Sequence, residues 1–117
     1  MPTMGALESK FADIIWEREP LPSGQLVKLA AAALSWKPTT SYTVLKRLCE
    51  RGIFVNNNGV VSSLISRDDF YAMQCDNFVD ETFSGSLPAF VAAFGKRKKL
   101  SDAEVELLKA LIEQMRS

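Results

Sequence analysis

The chain has 117 residues, 47% of them apolar and 24% charged, and its Lys and Arg balance its Asp and Glu at a formal net charge of zero. That composition fits one compact domain, or a small domain with an oligomerisation arm, and excludes a low-complexity disordered chain. There is no histidine, and the two cysteines, Cys49 and Cys75, stand alone, which excludes a disulfide framework, most zinc sites and most hydrolytic triads. Neither catalytic residues nor a metal or cofactor is expected. No apolar run approaches the ~20 residues of a membrane span, and no basic-then-apolar leader opens the sequence. A cytoplasmic protein without direct membrane association is the expectation. The charge is unevenly placed: residues 1–67 carry a net +3 and residues 68–117 a net −3. Halves of opposite sign point to two tasks, one facing phosphate and one facing protein.

The spacing of Leu7, Phe11, Ile14 and Ile15 predicts a first helix over Met4–Arg18. The Pro-containing stretch Glu19–Gly24 breaks it. Ser23 is a candidate cap for a second helix running to about Leu34, with Leu26, Val27, Ala30 and Leu34 inward. Pro38 opens a third helix, and Gly52 closes it. Ser41, Val44, Leu45 and Leu48 form its narrow inward stripe. Thr39, Thr40, Thr43, Lys46, Arg47 and Glu50 form a continuous polar stripe at the same spacing, flanked by Tyr42. Two β-like stretches, Ile53–Val55 and Val60–Ile65, follow around the hairpin-turn signal Asn56-Asn57-Asn58-Gly59. Three helices and a hairpin are the order of a winged helix-turn-helix.

Three amphipathic helices complete the chain, over about Asp68–Phe83, Leu87–Phe94 and Asp102–Met115. Ser101-Asp102-Ala103-Glu104 reads as a capping box at the start of the last. Such short helices bury little core alone, so dimerisation is expected. The candidate interface residues are Phe70, Phe78, Leu87, Phe90, Val91, Phe94, Leu108, Ile112 and Met115. The fold expected is mainly α with a small β-hairpin. Residues 1–67 form a winged-helix DNA-binding domain and residues 68–117 a helical dimerisation region.

The third helix carries the candidate chemistry. Threonine has modest helix propensity, whereas its methyl and hydroxyl suit a thymine methyl and base-edge groups. Thr39, Thr40, Tyr42, Thr43 and Lys46 are the candidate base readers, near the N-terminus of the helix that such folds lay in the major groove. Lys37 at the helix entrance is a phosphate candidate. Arg47 either reaches phosphate or braces the first helix through an acidic residue. Asn56, Asn57 and Asn58 either form the turn alone or donate to phosphate. The run Lys96–Lys99 reads as a solvated turn, with contact to DNA the alternative.

The pattern Trp36-x-Pro38-x-Thr40-x-x-Thr43-x-Leu45-x-Arg47-Leu48-x-x-x-Gly52 resembles the penicillinase-repressor family of winged-helix regulators, which includes the methicillin-resistance and copper-transport repressors. Glu8 through Ile15-Trp16 is similar to that family's first-helix pattern. Phe83-x-Gly85-Ser86-Leu87, Val91 and Leu100-Ser101-x-x-Glu104 are similar to its dimerisation region. The resemblance implies a homodimer on a palindromic double-stranded DNA operator, repressing a resistance or transport gene. It also implies a membrane-bound sensor protease as a candidate partner, since in several members such a sensor triggers cleavage in the C-terminal region. By the same resemblance the bond to be cut lies between Ala93 and Phe94. Two features depart from the family pattern. Val60, not arginine, follows the wing glycine, Gly59, and the paired C-terminal cysteines of the copper-responsive branch are missing. Two rival readings stand beside this one: a protein-interaction winged helix without DNA binding, and a repressor released by a small ligand.

Overall fold

In a computed structural model describing residues 4–117, the predicted apolar stripes supply the buried faces of the first three helices, except that Leu7 is left exposed at the start of the first and Ile14 and Leu34 are half-buried. Helix α1 (Ala6–Arg18) buries Phe11, Ala12 and Ile15, and α2 (Ser23–Leu34) buries Leu26, Val27 and Ala30. Helix α3 (Pro38–Glu50) buries Ser41, Val44, Leu45 and Leu48, with Pro38 in its first turn. Proline suits that turn because its missing N–H would have no intrahelical partner. Gly52 follows the C-cap Arg51 in the left-handed region at φ 80°. A side chain at Gly52 would strain the backbone there, so glycine stops the helix cleanly.

Strands β2 (Phe54–Asn57) and β3 (Val60–Ser63) pair antiparallel in the register Phe54↔Ser63 to Asn57↔Val60. The turn is therefore two residues long, with Asn58 at φ 52° and Gly59 at φ 88°. Both positive angles match the turn whose twist suits a hairpin. The first strand thus runs further into the asparagine run than the Ile53–Val55 expected, because Asn56 and Asn57 still pair.

A two-residue strand β1 (Leu21–Pro22) adds to the far side of β3, giving the order β1-β3-β2. The expectation of a plain break there is corrected. Proline on this edge strand removes no interior ladder bond. The reading of Ser23 as a helix cap is corrected too. Pro22 occupies the N-cap position without a side-chain hydrogen bond, and the Ser23 backbone N–H donates to the Gly59 carbonyl at 2.8 Å. That bond satisfies an amide that would otherwise have no partner, and it ties the start of α2 to the tip of the hairpin.

Phe11, Ile15, Leu26, Leu48, Ile53, Phe54, Val61 and Phe70 meet in one core. Trp16 borders it, its ring centroid 5.1 Å from Phe54 and 5.8 Å from Phe70, and its indole N–H donates to the Ile65 carbonyl at 3.0 Å. Phe70 comes from α4 (Arg67–Phe83). Arg67 opens that helix on α1, donating to the Asp13 carboxylate at 2.9 Å. That bond holds the Arg67 guanidinium more firmly in its charged form.

The chain divides into two compact units, the first ending at Asn77 and the second spanning Phe78–Ser117, so α4 runs across the division. The second unit contains the end of α4, α5 (Leu87–Gly95) and α6 (Asp102–Gln114). Ser86 caps α5 by accepting from the Ala89 N–H, and Ser101 with Glu104 forms the expected capping box on α6. Among residues 78–117 none is buried. No helix among the described residues is long and apolar enough to cross a membrane.

Candidate nucleic-acid interface

The candidate interface grows from the two faces of α3. Its inward stripe fixes the helix by burial, with Leu48 at 0% and Leu45 at 3% exposure. The opposite face is left to solvent, and Thr39, Thr40, Tyr42, Thr43, Lys46 and Arg47 are all exposed there. Thr39, Thr40, Thr43 and Arg47, with the edge of Val44, line one shallow depression. The structure thus brings most of the predicted readers together on a single helix. Thr43 donates its hydroxyl to the Thr39 carbonyl one turn back, at 2.8 Å, which fixes its side-chain orientation.

Lys37 is the exposed N-cap of α3, and no side chain caps that helix. A cation and uncapped first-turn amides at one helix end favour an anion. Lys46 lies 4.0 Å from Glu50 with both side chains largely solvated, so the pair holds Lys46 weakly. Of the two roles open to Arg47, the structure displays the bracing one: its guanidinium lies 3.8 Å from Glu8 on α1. The side chain is nevertheless half exposed, at 52%. Glu8 also lies 4.0 Å from Arg51. The sequence leaves open which acid of the first helix braces Arg47, because 39 residues separate Glu8 from it.

Asn57 and Asn58 sit exposed at the hairpin tip, on a different element from the threonines. Asn56 is a turn former, its side-chain oxygen accepting from the Gly59 N–H at 2.9 Å. Val60, where the family pattern has arginine, is 44% exposed.

The predicted interface residues fall into two groups. Phe70 is 1% exposed in the core of the first unit, against Trp16 and Tyr71. It has no surface left for a partner chain. The remaining eight lie in the second unit. Phe78, Phe83, Phe90 and Phe94 form a chain of ring contacts 5.7–6.4 Å apart. Phe90, Val91, Phe94, Leu100 and Leu108 line an open apolar groove of about 310 Å³, and Leu87, Ile112 and Met115 line another. Phe83 and Leu100, marked in the sequence only through the family resemblance, also belong to the exposed or half-exposed apolar surface, as do Leu107 and Leu111, which were not singled out from the sequence. The i, i+4 spacing of Leu107 and Leu111 carried that signal. Ala93 and Phe94 are both exposed near the end of α5.

The family model described as penicillinase repressor matches residues 4–114. The chain belongs to the penicillinase-repressor family. It is thus a DNA-binding transcriptional repressor rather than an enzyme. The repressor is 22% identical to the penicillinase repressor of Bacillus licheniformis over 118 residues, covering 97% of this chain and 92% of that one. It is 23% identical to the methicillin resistance regulatory protein MecI of Staphylococcus aureus over 115 residues, covering 95% of this chain and 94% of the relative. A protein of the same name from Mammaliicoccus sciuri is 22% identical, with 95% and 94% covered. The first-helix, third-helix and C-terminal motifs read from the sequence all fall inside the matched span. Among the described residues no group of three or more Cys, Asp or Glu side chains is placed to hold a metal ion.

Proposed function

We propose that the repressor binds a palindromic operator as a homodimer, with α3 of each subunit in the major groove of one half-site. The observation that carries this reading is the exposed stripe Thr39, Thr40, Thr43, Lys46 and Arg47, set on a helix whose opposite face is buried. Thr39, Thr40, Tyr42, Thr43 and Lys46 read base edges. Lys37 and the α3 amides beside it take phosphate, which fixes register without reading sequence. Asn57 and Asn58 approach the backbone as uncharged donors, so the hairpin adds little to the salt dependence. The second unit supplies the dimer contact through Phe78, Leu87, Phe90, Val91, Phe94, Leu108, Ile112 and Met115.

Binding to an operator selected from random duplexes tests the DNA reading. Thr43→Ala and Lys46→Ala each cost ~1–3 kcal/mol on that operator and relax specificity at one position. Lys37→Ala weakens all sequences alike and flattens the salt dependence. Unchanged operator affinity in both Thr43→Ala and Lys46→Ala would remove α3 as the reader. Salt-insensitive association with protein alone would favour an interaction module instead.

Release from DNA follows from cleavage between Ala93 and Phe94 by a membrane-bound sensor protease. The end of α5 is exposed and two residues from an exposed turn, so opening it costs little. The cut detaches α6 from the rest of the second unit. The two half-sites are then no longer held as one ligand, and affinity drops. Coexpression with a sensor protease encoded beside the repressor, followed by intact-mass measurement, gives a fragment ending at Ala93. Derepression with the chain still full length would point instead to a small ligand in the apolar grooves. The regulated gene, on this reading, is one of resistance or transport, and the repressor works in the cytoplasm.

A further inference from the structure

We infer that Glu8 is a positioning residue that restrains Arg47, and thereby sets how strongly the repressor binds DNA of any sequence. This rests on the reading of α3 as the DNA-facing helix. Glu8 lies in the first turn of α1, with its side chain 24% exposed. One carboxylate oxygen is 3.8 Å from the Arg47 guanidinium and the other is 4.0 Å from that of Arg51. The two arginines are one turn apart at the end of α3, so a single acid faces both. Arg51 is the more enclosed, at 19% side-chain exposure, against 52% for Arg47. Arg47 also lines the depression formed with Thr39, Thr40 and Thr43. A phosphate beside that row meets Arg47 first.

The strength of the hold matters. At 3.8 Å the contact is beyond a good hydrogen bond, so the attraction is Coulombic and partly screened. A phosphate oxygen that bonds the guanidinium directly displaces Glu8. Every such encounter, on any sequence, then proceeds against the Glu8 charge. The acid therefore subtracts from the sequence-independent, counterion-driven part of binding and leaves base reading by the threonines untouched. In a chain of zero net charge with no cation at the hairpin tip, one acid on a DNA-facing arginine has a large relative effect.

Glu8→Gln keeps the shape and removes the charge. Measured on a random-sequence duplex across a salt series, the variant should bind on the order of tenfold more tightly at low salt, and its log affinity should fall more steeply with log salt by about one per subunit. A selected operator should gain by the same factor, so the ratio between the two stays as it was. Glu8→Asp, with the charge retained, should keep the wild-type slope. In an Arg47→Gln background, Glu8→Gln should change nothing. An unchanged or shallower slope in a Glu8→Gln protein with wild-type circular dichroism would overturn the inference. So would an undiminished effect in the Arg47→Gln background. If the unaltered repressor shows no salt-dependent binding to any duplex, the DNA-facing reading of α3 itself falls, and the inference with it.

Discussion

Thr43 illustrates how a single hydrogen bond narrows what a side chain can read. Its hydroxyl proton goes to the Thr39 carbonyl, so towards solvent it offers lone-pair density and a methyl group. A base acceptor is then a poor partner, while a thymine methyl or an exocyclic amine is a good one. Thr43→Val retains the methyl and loses the oxygen. If methyl contact dominates, Thr43→Val binds the selected operator within a few-fold of wild type, whereas Thr43→Ala loses ~1–2 kcal/mol. A filter-binding comparison of the two variants checks this. The cysteines divide in the same residue-by-residue way. Burial pushes the Cys49 thiol up, partly offset by a backbone hydrogen bond from Asn56, while Cys75 is exposed. Cys49 on α3 therefore remains an unreactive thiol at neutral pH. The polar face of α3 was legible in the sequence because it repeats with the helical period on the side opposite the buried stripe. A brace from Arg47 to an acid of the first helix was one of two roles open in the sequence, but which acid takes it was not legible, since no local pattern encodes a pairing across 39 residues.

Among the elements, α6 makes the best-specified start in the chain. Ser101 accepts from the Glu104 N–H, and the Glu104 carboxylate accepts from the Ser101 N–H at 3.1 Å. Both bonds satisfy amides that a helix of this length leaves open. Ser101→Ala should cost ~1 kcal/mol, read as a lower thermal midpoint in a second unit that has no buried residue to compensate. This cap was legible from its four-residue signature. The start of α2 shows the opposite case. Ser23 has the composition of a cap, yet Pro22 holds the N-cap position and the Ser23 amide donates to a carbonyl 36 residues away. Local propensity lost there to tertiary pairing. Strand β1 was illegible for a related reason: two residues, one a proline, form a strand only because β3 is already beside them.

For the molecule as a whole, the two units have unlike means of stability. The first owns a core of aromatic and branched side chains reaching from Phe11 to Phe70. The second leaves Phe78, Phe94, Val91, Leu108, Ile112 and Met115 between 41% and 71% exposed. Unpartnered, such a surface neither stabilises a fold of this size nor stays unassociated. A dimer formed through this surface should melt at a temperature that rises with protein concentration, because association stabilises only the paired state. Scanning calorimetry across a hundredfold concentration range checks this, and a constant midpoint at a monomer mass would refute it. The charge asymmetry and the change in patterning put a division after residue 67, whereas the compact units divide after Asn77, inside α4. The allocation of Phe70 was not legible. Its spacing on α4 suits either a partner chain or the winged helix, and only the packing of Trp16 against it decides. A truncation beginning at residue 69 would therefore strip the first unit of a buried aromatic, a loss of ~3–5 kcal/mol, and would report unfolding rather than loss of dimerisation.

The bond from the Ser23 amide to the Gly59 carbonyl turns the wing from an appendage into a strut. An amide at the first position of a helix ordinarily exchanges its proton with water almost freely. Here that proton is trapped for as long as the hairpin tip stays docked on the entrance of α2. Its exchange rate is thus a direct clock of wing opening, read from one resonance in an otherwise poorly protected stretch. If DNA grips the tip, the clock should slow. If DNA pulls the tip away from α2, it should run at the rate of an open loop.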